Sequence, residues 1–327
     1  MKPVSTSRRT VFSVGAIVVL AGVWAGPVQA QKPYPNDVIH FVSGYPVGSG
    51  ADVMVRFFAD KVAKVSGATI ITENKPGATG NIATEYVARA RPNGYTVLVH
   101  AGSGMAGNAH LYKSTIDATK DLQLVATLNK QGTMVVVPAS SPYRTLPELT
   151  AAMKAKKSAA SYGTSSTTGT ITGEMYKQVA GLDTVLINYK AAPDAVKDLI
   201  GGQLDYALVD PLLALAERRK DRLRILANFS PDRMSSSPDV PTMRESGVDV
   251  SLLGWWAAAV PAGTPRPIVD QLNAWFNQVL AMPETHKFME DAGGDVFVSS
   301  ADDAHAFFVK QVKAWAEYVR IGKIKAN

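Results

Sequence analysis

Four loop segments, three of them rich in glycine or hydroxyl residues, each follow an apolar run that predicts a buried strand. Free backbone amides, hydroxyl groups and the positive end of a following helix together favour bound anions. Ligands of open α/β sheets bind beyond the carboxyl ends of the strands, where all four segments fall. The sequence therefore predicts an anion-binding cleft formed by Gly44–Asp52, His100–Asn108, Gly163–Thr170 and Asn188–Asp194.

Residue patterns typical of catalysis are scarce. The chain has no cysteine and no Gly-x-Ser-x-Gly motif, and its five histidines show no spacing typical of metal ligands. We therefore expect neither a metal nor a cofactor. Asp52 and Asp210 could act as general bases, although no partner residue is identifiable for either. A secreted α/β enzyme using one of these two carboxylates stays open as an alternative.

Gly102, Gly104 and Gly107 have the spacing of a dinucleotide-binding fingerprint. That motif has to open a helix, and an acidic residue has to close the next strand. The run 108–121 is broken and polar, and Asp121 precedes the next predicted strand. We therefore expect no nucleotide at this segment.

The N-terminus has the pattern of a secretion signal. Lys2, Arg8 and Arg9 precede the apolar run 11–28, and small residues mark a cleavage site after Ala30. An uncleaved membrane anchor is the alternative, because the run approaches spanning length. We expect cleavage after Ala30 and a periplasmic mature protein, exported by either the general secretory or the twin-arginine route.

The charge of the chain excludes one class of partner. Removing residues 1–30 takes away three cations and no acids, so the formal net charge falls from +6 to +3. The dense basic run 218–224 is typical of a solvated helix end, and no basic cluster is interleaved with aromatic residues. We therefore expect no nucleic-acid partner. We also expect a monomer.

Short β-rich runs alternate with amphipathic runs, which predicts an α/β protein with mainly parallel sheets. About ten strands exceed what one doubly wound sheet of this length holds, which indicates two sheets. We place the crossings beside Gly132 and Gly254, so that lobe 1 comprises 31–131 and 254–327 and lobe 2 comprises 132–253. The predicted strands are 38–43, 69–73, 95–100, 122–127, 133–137, 160–163, 184–188, 205–209, 223–228 and 251–260. The predicted helices are 51–65, 79–90, 146–157, 171–180, 192–200, 211–219, 265–281, 284–292 and 301–321.

Ten short motifs, in this order and spacing, resemble those of a known receptor family. They are Tyr45–Asp52, Glu73–Asn81, Pro92–Thr96, Asn108–Tyr112, Thr145–Leu149, Tyr189-Lys190, Gly201–Asp205, Pro238–Thr242, Glu245–Gly247 and Pro261–Pro265. The chain is similar to the periplasmic receptors of the tripartite tricarboxylate transporter family, often called Bug receptors. The resemblance covers nearly all of the chain after residue 30.

The resemblance implies a type II periplasmic-binding-protein fold, in which two α/β lobes joined by hinge crossovers surround a ligand cleft. It also implies a carboxylate ligand that is delivered to membrane transporter subunits when the cleft closes. A ligand sensor for a signalling kinase would share this fold and stays open. We expect contacts to the ligand from Tyr45, Val47, Gly48, Ser49, Ser103, Gly104, Thr164, Ser165, Ser166, Thr167 and Asp210.

Two departures from the family pattern bear on the ligand. The usual Pro-Pro-Gly-Gly is replaced by Tyr45-Pro46-Val47-Gly48, and the segment 163–170 is about two residues shorter and lacks the usual histidine. An aromatic ring with extra hydroxyls suits an aromatic diacid such as a phthalate, and an aliphatic C4–C6 diacid is equally compatible. Asp210 favours a ligand that presents a hydrogen-bond donor or a protonated acid group.

Overall fold

Two β-sheets organise the protein in a computed structural model, which describes Met1 and residues 34–324. The predicted signal segment, apart from Met1, lies outside the described residues. The strands are β1 (Ile39–Ser43), β2 (Ile70–Asn74), β3 (Thr96–Ala101), β4 (Leu122–Gln131), β5 (Met134–Pro138), β6 (Ser161–Thr164), β7 (Val185–Asn188), β8 (Tyr206–Val209), β9 (Leu223–Asn228), β10 (Gly254–Pro261) and β11 (Asp295–Val296).

The first sheet has the strand order β11-β4-β10-β3-β1-β2 and the second has the order β7-β6-β8-β5-β9. All ten predicted strands are present, whereas the two-residue β11 is too short to produce a periodic signal. The prediction of mainly parallel sheets was wrong, because β10 and β5 run antiparallel to both of their neighbours. These strands enter a sheet from the crossings and therefore run against the strands of the β-α-β units.

Helices flank both sheets, and most of them lie within a few residues of their predicted bounds. Polar side chains cap the first turns of several helices, as expected for serine and aspartate at these positions. The caps include Ser49, Ser166, Asp210 and Ser300. The helices are α1 (Gly50–Ser66), α2 (Asn81–Ala88), α3 (Asn108–Leu111), α4 (Ala118–Asp121), α5 (Leu146–Lys156), α6 (Thr167–Ala180), α7 (Ala192–Ile200), α8 (Pro211–Arg218), α9 (Arg266–Leu280), α10 (Pro283–Asp291) and α11 (Ala301–Ile321). None of these described helices is long and apolar enough to span a membrane.

The chain crosses between the sheets twice among the described residues. The short crossing joins β4 to β5, and residues 229–253 lead from β9 back to β10. The two crossings lie side by side, since the amide of Phe229 donates to the carbonyl of Thr133 at 2.9 Å. A Cβ on Gly132 would lie 2.7 Å from the amide nitrogen of Ser230, so only glycine fits there without a shift.

One hydrophobic cluster extends through both sheets. It includes Val42 and Leu98 of the first sheet and Tyr162 and Tyr206 of the second. The C-terminal helix α11 joins the two parts, because it packs against β4 and also against α6. The sheets therefore share a core beside the crossings, and the lobe boundaries stay a prediction about which parts move together.

Candidate ligand-binding cleft

A cavity of about 200 Å³ lies where the two sheets meet at the crossings. Both sheets contribute hydroxyl groups to its wall, and the crossing strands contribute a further amide and hydroxyl. α6 and α8 begin at this cavity, because their capping residues Ser166 and Asp210 line it. The polar lining residues are Tyr45 and Ser103 from the first sheet, Gln131 and Thr133 from the crossing, and Ser166, Thr168 and Asp210 from the second.

Four of the predicted contact residues, Tyr45, Ser103, Ser166 and Asp210, line this cavity together. They are distant in sequence and are brought together by the meeting of the sheets. The hydroxyl of Ser166 accepts a hydrogen bond from the Gly169 amide at 3.0 Å, which leaves its proton free for a ligand. The geometry thus provides several convergent donors within one small space.

The other predicted residues lie outside the cavity lining. Val47 is 72% exposed, and Ser49 caps α1. Ser165 and Thr167 line a neighbouring cavity of about 310 Å³ beside Asn188 and Tyr189.

Gly48, Gly104 and Thr164 do not line the cavity; they stabilise the loops around it. Gly48 has a φ of 79° and donates its amide to Asp52. Gly104 is buried against His100, and the Thr164 hydroxyl accepts a hydrogen bond from the Ser166 amide at 3.4 Å.

Asp52 stabilises the conformation of the segment Gly44–Asp52 through hydrogen bonds on the side away from the cavity. Its carboxylate accepts hydrogen bonds from the Gly48 amide at 2.9 Å, the Arg56 guanidinium at 2.8 Å and the Asn74 amide at 2.7 Å. The same Asn74 amide donates to the carbonyl of Tyr45 at 3.0 Å. Burial alone would raise the pKa of Asp52, but the hydrogen bonds outweigh it and lower the pKa to about 2. Asp52 is therefore a charged structural anchor that does not line the cavity.

Aromatic rings pack against the glycines of the segment His100–Asn108. Ser103–Gly107 forms a π-helical turn that continues into the four-residue α3, and the run 108–121 is broken as expected, because non-helical residues 112–117 separate α3 from α4. A Cβ on Gly102 would lie 2.1 Å from the Trp255 ring, and one on Gly104 would lie 2.2 Å from the His100 ring. A Cβ on Gly107 would lie 2.7 Å from the Trp315 ring. The spacing that mimics a dinucleotide fingerprint serves ring packing in this protein.

A stack of three rings forms one wall beside the cavity. The Tyr45 and His100 rings lie 4.6 Å apart with an interplanar angle of 22°, and the Tyr45 and Trp256 rings lie 5.4 Å apart. Burial lowers the pKa of His100 to about 4 and raises the pKa of the Tyr45 phenol. Both rings are neutral at pH 7, so the wall offers a flat surface without charge.

The electrostatics of the cavity are unusual for an anion site. Asp210 is the charged residue in its described lining, and no lysine or arginine of residues 34–324 lines it. One oxygen of Asp210 accepts from the Leu213 amide at 3.0 Å as the cap of α8. An anion here has to be held by hydroxyls, amides and helix ends, and it has to keep its charge away from Asp210.

Sequence reasoning missed Gln131, Thr133, Thr168 and Trp315 as lining residues. Gln131 and Thr133 flank Gly132, which was recognised only as a crossing. Trp315 lies on a helical apolar stripe of α11 that is indistinguishable from ordinary core in the sequence. The indole nitrogens of Trp255 and Trp315 have no hydrogen-bond partner among the described residues, which leaves two unpaired donors beside the cavity.

Comparison with known proteins identifies the family. The model of the tripartite tricarboxylate transporter family receptor matches residues 54–324. The chain belongs to this family. Among its relatives, a UPF0065 protein of Bordetella bronchiseptica is 31% identical over 302 residues, which cover 91% of this chain and 90% of the relative. The resemblance inferred from the ten motifs is thus confirmed.

Solved structures confirm the fold of this receptor. The periplasmic binding protein BugD is 26% identical, with a TM-score of 0.75 over 90% of this chain and 100% of BugD. The R. palustris protein Rpa4515, solved with adipate, is 22% identical, with a TM-score of 0.79 over 90% of this chain and 100% of that protein. The receptor has the α/β periplasmic-binding fold with two sheets, and members of the family are periplasmic solute-binding receptors.

Proposed function

We propose that this receptor binds a small organic carboxylate in the 200 Å³ cavity and delivers it to the membrane subunits of a tripartite transporter. The observation that carries the proposal is the polar lining of that cavity, which combines donors from both sheets and from the crossing. A ligand touching all three parts favours the closed arrangement of the lobes, and the membrane subunits would bind that arrangement.

Hydroxyls and amides suffice to hold such a ligand without a cation. A hydrogen bond to a charged group contributes about 1.5–3 kcal/mol, and micromolar affinity corresponds to about 8 kcal/mol. Several bonds from Ser103, Ser166, Thr168 and the helix ends would reach that value after ordering costs. We therefore propose that the carboxylate lies among these donors and away from Asp210.

The neutral ring wall and Asp210 narrow the ligand class. A flat carboxylate would stack on Tyr45 and Trp256, and a hydroxyl or amino group on it could donate to Asp210. A second ionised carboxylate at that end would be repelled. We therefore rank an aromatic carboxylate bearing a donor above an aliphatic C4–C6 diacid, although adipate belongs in the test because the fold of Rpa4515 holds it.

We further propose a periplasmic monomer that is cleaved after Ala30 and does not catalyse a reaction. The carboxylate oxygens of Asp52 are occupied by Gly48, Arg56 and Asn74, so this residue is a poor general base. Asp210 caps α8 and has no histidine beside it in the described lining. A receptor for a signalling kinase would share the ligand and differ only in its partner.

A binding panel on residues 31–327, after unfolding and refolding to remove bound ligand, tests the proposal. The panel holds benzoate, hydroxybenzoates, aminobenzoates, phthalate, succinate and adipate, with benzamide as the uncharged match for benzoate. Ligand at about a hundred times its Kd should add about 2.7 kcal/mol to the free energy of unfolding. Binding of the acids but not of benzamide supports the proposal, and equal binding of both or of neither contradicts it. Loss of uptake when the membrane subunits are deleted would separate transport from signalling.

A further inference from the structure

A second, larger cavity adjoins the one described above and has a different chemical character. This vestibule, about 660 Å³, lies between the first two turns of α1, α8 and the end of α10. Gln131, Asp210 and Trp256 line both spaces, so the vestibule adjoins the central cavity at these three residues.

The wall of the vestibule is mostly apolar, has Asp210 and Asp291 as charged lining residues, and comes mainly from helices that flank the two sheets. Val53 on α1 is 51% exposed and Leu212 on α8 is 46% exposed, and both line it. Phe288 of α10 also lines it and stacks on Phe57 with ring centroids 4.0 Å apart. An apolar group that binds between these half-exposed side chains would bury apolar surface, which lowers the free energy of the complex.

The more polar central cavity is also the smaller of the two spaces, at about 200 Å³ against about 660 Å³ for the vestibule. Pockets that enclose a drug-sized ligand measure about 300–1,000 Å³, so the central cavity of about 200 Å³ suits a compact carboxylate and is too small for a long substituent on it. The polar donors lie around the central cavity, whereas the apolar surface lies beyond Trp256 in the vestibule. The combined site has the polarity of an amphipathic molecule.

We infer that the ligand is a carboxylate with an extended apolar arm, whose carboxylate lies in the central cavity and whose arm passes Trp256 into the vestibule. The inference rests on the proposed carboxylate receptor function and specifies its substrate class. An alkyl or phenylalkyl monocarboxylate fits this description, whereas a compact diacid leaves the vestibule unfilled.

Calorimetric titration with two homologous series tests the inference. One series runs from benzoate to 4-phenylbutyrate and the other from butyrate to octanoate, with succinate and adipate as charged-end controls. Affinity should rise about fourfold for each methylene that enters the vestibule, and the diacids should show no such gain. Binding of carboxylates with no gain along either series overturns this inference and leaves the receptor function standing. Failure of every carboxylate to bind overturns both.

Val53→Asp places a charge in the vestibule wall, and Val179→Asp is its matched control. Val179 lies on α6, is 43% exposed and lines neither space. Val53→Asp should cut the gain per methylene to below about twofold, because it replaces an apolar contact of the arm by a third carboxylate beside those of Asp210 and Asp291. Val179→Asp should leave the whole series unchanged. If Val53→Asp alters only uptake by cells and no binding constant, the vestibule serves the membrane partner and the inference is wrong.

Discussion

At the scale of single residues, the hydrogen bonds of Asp52 distinguish two roles that its sequence position left open. A base needs a free oxygen beside the ligand, whereas an anchor needs occupied oxygens behind the loop. Asp52 is 1% exposed and accepts from Gly48, Arg56 and Asn74. It therefore shapes the loop that carries Tyr45, and its effect on binding is indirect.

Asp52→Asn should weaken ligand binding and lower stability. The substitution puts an amide where three donors converge, and a buried donor left unpaired costs about 1–3 kcal/mol. Calorimetric titration and urea unfolding measure the two effects. Asp60→Asn is the control, since Asp60 lies on the same helix in an exposed pair with Lys64. An affinity and a stability equal to those of the native protein would contradict the anchoring role.

The acid sensitivity of this anchor has a defined sign. The folded-state pKa of Asp52 is lowered to about 2, below its ordinary value of 3.8. Its stabilising contribution is therefore complete above pH 3.8 and is lost as the pH falls toward 2. The difference in stability between the native protein and Asp52→Asn should shrink over that window.

His100 should destabilise the fold in mildly acidic solution. Its pKa is lowered from 6.5 to about 4 by burial, so between these values the unfolded chain binds a proton that the folded protein does not. The free energy of unfolding should fall by about 3 kcal/mol from this residue as the pH drops from 7 to 4. Urea unfolding of His100→Gln should show a flatter pH profile, whereas His286→Gln, exposed on α10, should not. Parallel profiles for the native protein and His100→Gln would contradict this.

At the scale of elements, the π-helical turn Ser103–Gly107 and the preceding Gly102 both line the cavity, through Ser103, and pack against three aromatic rings. Ser103 faces the cavity, while the glycines around it receive Trp255, His100 and Trp315. The rings in turn support the Tyr45 wall, since His100 stacks on Tyr45. The composition of this segment is therefore determined by the residues that pack on it.

Gly104→Ala should disturb this packing. The added Cβ would lie 2.2 Å from the His100 ring, and overpacking of this kind costs about 1–3 kcal/mol. Gly50→Ala is the control, because nothing lies within 4 Å of the Cβ it would add. Denaturant midpoints of the two variants measure the contrast. A midpoint for Gly104→Ala as high as that of Gly50→Ala would show that the ring can move aside freely.

At the scale of the whole molecule, the crossings and α11 connect the two sheets at the base of the cavity. Gln131 and Thr133 belong to the cavity and to the crossing at once, so any change in the angle between the sheets changes the site. Trp315 extends this coupling, because α11 packs on both sheets and its ring lies on Gly107. We therefore predict that ligand binding and the relative position of the sheets are linked.

Gly132→Ala should weaken the coupling between ligand binding and the relative position of the two sheets. Its Cβ would lie 2.7 Å from the Ser230 amide nitrogen, which forces the two crossing segments apart. We expect weaker ligand binding together with a smaller ligand-induced change in the radius of gyration, measured by small-angle X-ray scattering. Gly201→Ala provides the control, because the Cβ that it adds would come no closer than 3.3 Å to another atom and Gly201 lines neither cavity. A native affinity and a native scattering change would show that the crossing tolerates the shift.

Much of the architecture could be predicted because its signals are local. The alternation of apolar and polar residues located the strands from β1 to β10, and capping serines and prolines located the starts of several helices. Glycine spacing alone could not reveal the role of Gly102–Gly107, since a turn, a phosphate-binding loop and close packing of aromatic rings all require a residue without a side chain. Strand direction was also beyond the sequence pattern, because it depends on how the chain crosses between sheets.

The sequence by itself determined most of the elements and the family, since short motifs in a fixed order reflect local requirements of the backbone. Only the tertiary structure decided which residues share the cavity. Ser103 and Asp210 come together with Gln131 because two sheets meet at a crossing, and Trp315 joins them from the last helix. The vestibule is likewise a property of the space between α1, α8 and α10. Such spaces arise from packing over long sequence distances, and no local pattern contains them.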